Sequence, residues 1–325
     1  MMLDIAPCEN PWYNCLDVLI LTLARYWKIE HRMMFADAWR FRYTKAPATA
    51  ESVSFEDALD VIELVEKRDI ENALYQYHGL RVTHHPVREL NDVLAIVKKE
   101  LAQETPVALG VDAYHCHWSA AYHKYHLHHY CLGIGIDEDK CMLFVLDPYL
   151  TPRTLEFPFD EYAETLSEII CFERSGFVPP PPDWEQLLCR RALEMQDGFQ
   201  EMRDLADDLE KYLDFFQEVV RHEDPYASKL VLYFKTLSFS RVNYADCLAC
   251  LGEVSANPKL LEAADRMRAL GNELFTIFLL LMKSSLTPQR FKVGNIADKL
   301  RNVADREEDL AKEFLQLPAA AQMVQ

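Results

Sequence analysis

Three side chains in this chain have the types and the order that thiol chemistry needs. Cys15 heads a strongly apolar segment, His129 sits at the mouth of an apolar run, and Asp147 stands where the next run ends. Thiols attack as thiolates, and a thiol pKa falls at a helix N-terminus and beside an imidazole. Asn14 is a good N-cap for a helix running to Trp27, which puts Cys15 in its first turn. A rival start caps on Asn10 with Pro11 at the first helical position and places Cys15 deeper. In either case an imidazole would take the thiol proton and a carboxylate would fix the imidazole tautomer. The backbone N–H of Cys15, with the side-chain amide of Asn14 or Asn10, would make an oxyanion hole. The competing account is that Cys15 is a small buried hydrophobe, as most free cysteines are. Cys8 is the reserve nucleophile.

The elements that must position this trio lie mainly between Thr105 and Tyr149. Val107–Val111, Tyr130–Ile136 and Met142–Leu146 are rich in β-branched and apolar residues and bounded by turn chemistry, so they predict strands. A four-residue turn, Asp137 to Lys140, joins the last two, and an antiparallel register centred there sets position 129 beside 147 or 148. Val87–Glu104 has helical spacing at Leu90, Val93, Leu94, Val97 and Leu101. Ser54–Tyr77 predicts one or two helices, residues 33–43 helix or extended chain, and Glu161–Glu173 a helix followed by a strand. Four prolines at 179–182 cannot continue a helix and favour a stiff spacer. Beyond them, Trp184 to about Leu317 is helical in period, with breaks near Glu223–Pro225, Asn257–Pro258 and Leu286–Pro288, predicting roughly four helices in a bundle. The expected fold is α+β: a domain over 1–178 with its N-terminal helix packed on an antiparallel sheet, then an all-helical domain over 183–325.

Composition narrows the function classes. At 325 residues the chain has room for two cores, and its formal net charge of −18 argues against nucleic-acid binding. It has no GxGxxG or GxxxxGK[ST] to cradle a nucleotide phosphate. Nine cysteines, an odd number scattered through predicted helices and strands, do not make a disulfide framework. The start, MMLDIAPCENP, lacks a basic segment followed by an apolar one, and runs such as Leu16–Ala24 are too short to span a bilayer. A cytoplasmic protein with reduced thiols, without membrane attachment, is the expectation.

Cysteine on an N-terminal helix, histidine on a strand and aspartate on the next strand is also the order of papain-like enzymes. The resemblance sharpens in two blocks. Pro106–Asp112, His129–Asp137 and Val145–Pro148 resemble the strand motifs of the butirosin-biosynthesis H family, papain-like cysteine acyltransferases of natural-product clusters. The run CLDVLILTLARYW is similar to that family's first helix, with Cys15 on its nucleophile and Tyr26 on its helix-end tyrosine, while Lys28 stands where the family usually has glycine. The resemblance implies acyl transfer from a carrier-protein thioester to an amine, through an acyl-Cys15 intermediate, in antibiotic or other secondary metabolism (nonribosomal peptide or polyketide). It implies no cofactor of its own, the 4'-phosphopantetheine arm being carried by the acyl or peptidyl carrier partner. A papain-like peptidase or thioesterase would use the same triad, and a non-catalytic carrier-binding module would keep only the fold. A homodimer is an open assembly state.

The remaining candidates surround this core. Six histidines lie between His115 and His129, interleaved with Tyr114, Trp118, Tyr122 and Tyr125. Without a carboxylate between Asp112 and Asp137, the pattern fits a wall for an acyl or sugar-like ligand better than a metal site. Asp112 is a candidate for binding the acceptor amine, with a structural cap for the loop as its other role. Cys247 and Cys250 form one CxxC inside a helical pattern, without a second pair, and fit packing better than redox or metal chemistry. Arg25 to Lys45 is a basic stretch in an acidic chain, so Arg32, Arg40 and Arg42 are candidates for docking an acidic carrier protein.

Overall fold

A computed structural model describes residues 2–55, 69–87, 90–159, 165–222, 228–286 and 292–318. The chain forms two compact units, Met1–His31 with Glu71–Pro180, and Arg32–Ile70 with Pro181–Gln325.

The first unit is built on a six-stranded sheet: β1 (Leu80–Pro86), β2 (Val107–Asp112), β3 (His128–Asp137), β4 (Met142–Asp147), β5 (Thr151–Pro158) and β6 (Leu166–Arg174), in the order β1-β6-β2-β3-β4-β5. Every pairing is antiparallel. With the helices α1 (Cys15–Trp27), α2 (Ile70–His78) and α3 (Leu90–Ala102), this is the expected α+β arrangement. Strands β2, β3 and β4 are the three apolar runs, buried along most of their length. The two edges, β1 (LRVTHHP) and β5 (TPRTLEFP), were not expected as strands. Both hold proline and polar residues, which only an edge tolerates because one side of the ladder needs no donor. Of the helix-then-strand expected over Glu161–Glu173, β6 is the strand, while residues 160–164 and most of the expected helix from Ser54 lie outside the described residues.

The hairpin register differs from expectation. Asp137 pairs with Met142, but the pairing shifts between Gly133 and Gly135, and Leu132 then faces Leu146. The turn closes one residue later than expected, a register that alone would set Asp147 opposite Leu132; the bulge draws it back to the level of Cys131, diagonal to His129, a separation that side chains still bridge. Helix α1 starts at the Asn14 cap rather than at Asn10, whose Oδ1 instead accepts the Trp12 N–H at 3.0 Å. It stops at Lys28, whose backbone is left-handed at φ 55°, ψ 46°, the position where glycine is the usual C-terminal residue.

The second unit contains α4 (Trp184–Glu194), α5 (Gln196–Tyr212), α6 (Lys229–Val254), α7 (Pro258–Leu286) and α8 (Val293–Phe314), five helices among the described residues rather than about four. The extra break is at Met195, whose N–H turns back to the Arg191 and Leu193 carbonyls with no proline or glycine to announce it. This unit is also discontinuous, whereas the sequence drew one linear boundary near the four prolines. The reason is apolar: Trp39 is fully buried, its ring 5.4 Å from Tyr244 and 6.0 Å from Phe314, and Phe41 stands 6.0 Å from Tyr233. Among the described residues, no helix is long and apolar enough to cross a membrane.

Candidate active site

Cys15 is the first residue of α1, and the cap beneath it is reciprocal. Asn14 Oδ1 accepts the Asp17 N–H at 2.8 Å while Asp17 Oδ2 accepts the Asn14 N–H at 3.4 Å, a capping box. The sulfur therefore sits at the positive end of the helix dipole, partly exposed. As the first helical residue, Cys15 also has an N–H with no acceptor inside the helix.

His129 and Asp147 come from adjacent strands and are both buried. His129 Nε2 lies 2.8 Å from Asp147 Oδ2, and a carboxylate only accepts, so Nε2 is the protonated nitrogen. Cys15 acts on the same imidazole, adding to Asp147 in favouring its protonated form. Burial pulls the imidazole pKa down, but the hydrogen bonds and charges of Asp147 and Cys15 outweigh it and raise the group from 6.5 to about 10. A base so stabilised as its cation can keep the sulfur's proton and later return it to a leaving group. By contrast, burial pushes the nearby Cys116 thiol up to about 12 and holds Cys131 well above the ordinary range. Cys8 is buried, with its thiol near the Ala6 carbonyl at 3.8 Å.

The aromatic loop contributes something the sequence did not signal. Trp118 Nε1 donates to the same Asp147 oxygen as His129, at 2.7 Å, so the expected substrate wall also braces the carboxylate. The other oxygen, Oδ1, is buried with no hydrogen-bond partner among the described residues. Tyr149, absent from the sequence candidates, holds its ring 6.0 Å from that of His129.

The other candidates divide. The side-chain oxygens of Asn10 and Asn14 accept the Trp12 and Asp17 N–H groups, which leaves their NH2 ends to join the Cys15 N–H as donors for an oxyanion. Asp112 is taken up by the loop: Oδ1 accepts the Tyr114 and Leu127 N–H groups, and Oδ2 pairs with His126 Nδ1 at 2.6 Å. It presents the capping role rather than an open amine site. Tyr114 stacks on His126 at 4.2 Å and Tyr122 on His123 at 4.0 Å, and Tyr122 and Tyr125 are exposed. No group of three or more His, Cys, Asp or Glu among the described residues is arranged to hold a metal ion. Cys247 and Cys250 are buried, with Cys247 Sγ 3.7 Å from Met33 Sδ. The arginines expected to dock a carrier face carboxylates of their own unit: Arg32 with Glu253 at 2.6 Å, Arg40 with Asp37 at 2.9 Å and Arg42 with Glu201 at 3.2 Å. Their charge is largely matched, because the helical unit is rich in acidic side chains.

Residues 15–148 match the family model described as butirosin biosynthesis protein H, N-terminal, and the match runs from Cys15 to the residue after Asp147. The resemblance noted in the sequence holds over that stretch. No curated protein matches the chain.

Proposed function

We propose that this protein is a cysteine-dependent acyltransferase of a butirosin-like biosynthetic pathway. It takes an acyl or aminoacyl group from a carrier-protein thioester onto Cys15 and passes it to an amine. The observation that favours this reading is the Cys15–His129–Asp147 arrangement, with the imidazole raised to about 10. Thioester exchange needs a thiolate to enter and a proton for the departing pantetheine thiol. An imidazolium that survives at neutral pH supplies that proton. His129, left neutral by that transfer, then takes a proton from the attacking amine and returns Cys15 to the thiolate as the amide departs. Atoms balance over the cycle: one thioester and one amine become one amide and one thiol.

Intact-mass analysis after incubation with an acylated carrier, or with an acyl-pantetheine thioester, tests the reading. A mass increase equal to the acyl group, mapped to Cys15, lost in Cys15→Ala and discharged by amines, is expected. Rapid discharge to the free acid would instead make the protein a thioesterase. Binding of the carrier with no adduct on any cysteine would overturn the enzymatic reading.

A further inference from the structure

The imidazole of the triad is nearly dry, although its neighbour in the chain is not. His128, the first residue of β3, has a half-exposed side chain. The next residue, His129, shows 7% of its side chain to solvent, and Asp147 shows none. Two aromatic side chains from separate connections lie against this pair. Trp118, between β2 and β3, donates to Asp147 Oδ2, and its ring stands 6.3 Å from that of the buried Phe157 of β5. Tyr149, between β4 and β5, holds its ring 6.0 Å from that of His129, tilted by 46°.

The backbone gives Tyr149 little freedom to leave. Asp147 and Thr151 are paired across β4 and β5, so Pro148, Tyr149 and Leu150 are the whole connection. The Leu150 N–H closes it on the Asp147 carbonyl at 3.0 Å. Pro148 is buried, and its ring fixes the backbone angle just before the tyrosine. Tyr149 itself is 39% exposed, so its ring has the imidazole on one side and solvent on another.

That position bears on the step at which a transferase and a thioesterase part. Once Cys15 is acylated, discharge follows one electron flow whichever nucleophile arrives. The nucleophile's lone pair forms a bond to the acyl carbon and its proton passes to neutral His129. The C–S bond breaks, and its electrons stay on Cys15 as the thiolate. An amine leaves as an amide and water as a carboxylic acid. Bulk water far outnumbers any amine, so the outcome depends on which of them reaches the base, and keeping water out protects a reactive intermediate.

Building on the acyltransferase reading, we propose that Tyr149 sets the choice of nucleophile: its ring shuts bulk water away from His129, so that acyl-Cys15 outlasts hydrolysis until an amine arrives. Tyr149 acts through His129 rather than on the reacting atoms, which makes it a positioning residue. Trp118 has a different task, since its N–H holds the carboxylate. The part of Tyr149 that matters is the bulk of its ring, and its hydroxyl plays no role in the cover.

Two experiments test the cover. The first loads Cys15 from an acyl-pantetheine thioester, removes excess donor, and follows loss of the acyl mass in amine-free buffer. Tyr149→Ala is expected to shorten the lifetime of acyl-Cys15 several-fold, while Tyr149→Phe keeps the native lifetime. Tyr149→Ser is the second truncation, should alanine prevent folding. Damage to the fold spoils the base and slows hydrolysis, so a merely structural role does not produce this gain. An unchanged lifetime on truncation, or a phenylalanine variant as short-lived as alanine, overturns the role of the ring and leaves the acyltransferase reading intact. If native Cys15 takes no acyl group, that reading fails on its own, and the second experiment tests the cover without it. Deuterium uptake at the Cε1 carbon of His129 is measured by peptide mass, with exposed His126 as the reference in the same protein. Tyr149→Ala is expected to speed uptake at His129 several-fold and leave His126 unchanged, and equal uptake at His129 in both proteins overturns the proposal.

Discussion

The proton on His129 is where burial and charge oppose each other most directly. Its pKa in the fold, about 10, lies above the 6.5 of the free side chain, so the bound proton stabilises the folded state. That contribution is complete below pH 6.5 and is lost as pH rises through about 10. Acyl loading is expected to decline over the same alkaline limb. Asp147→Asn removes the carboxylate that outweighs burial and should move the limb down by more than one pH unit, read from the pH profile of Cys15 loading. Trp118→Phe deletes one of the two donors on Asp147 Oδ2 and should slow loading by about tenfold, as a loss in kcat more than in KM. The meeting of His129 with Asp147 was legible in sequence because residue type, chain order and turn position all pointed to it. The second job of Trp118 was not, since an indole among histidines says nothing about which carboxylate it will meet.

At the scale of elements, legibility followed depth in the sheet. Strands β2, β3 and β4 have near-continuous apolar runs because both their flanks are paired and their faces covered. The edge strands β1 and β5 read as loops because edges accept proline and charge. The hairpin turn was found, but it closes one residue later than expected, and the unforeseen bulge at Gly133/Gly135 recovers part of that offset. The end of α1 gives a further prediction. Lys28 holds a left-handed backbone, where a Cβ crowds the following carbonyl at a cost of about 1 kcal/mol. Lys28→Gly is expected to stabilise the protein by about that amount, measured as a higher urea midpoint. An unchanged or lower midpoint would mean that the lysine side chain makes up for its backbone.

At the scale of the molecule, the helical unit is organised around an ion pair that helical periodicity could not reveal. Arg241 and Glu307 are both fully buried. Two hydrogen bonds join them, at 2.8 and 2.9 Å, and Trp39 Nε1 adds a third to Glu307 at 2.8 Å. Arg241 also donates to the Arg40 carbonyl at 2.6 Å. Charges in an amphipathic helix read as a solvated face, and nothing in the spacing marks these two as the exception. Breaking such a pair leaves an uncompensated buried charge, so Glu307→Gln is expected to destabilise the fold by about 3–5 kcal/mol in urea titration.

Trp39 and Arg40 also bear on how the chain can be cut. They precede the four prolines by well over a hundred residues, yet their partners, Glu307 and Arg241, follow them. A fragment stopped at the four prolines would keep the indole and lose Phe199, Tyr244, Phe314 and Glu307 from around it. Such a piece is expected to aggregate, with Trp39 emission shifted to the red. The gene segment that looks separable is stitched to its neighbour by a borrowed stretch of chain.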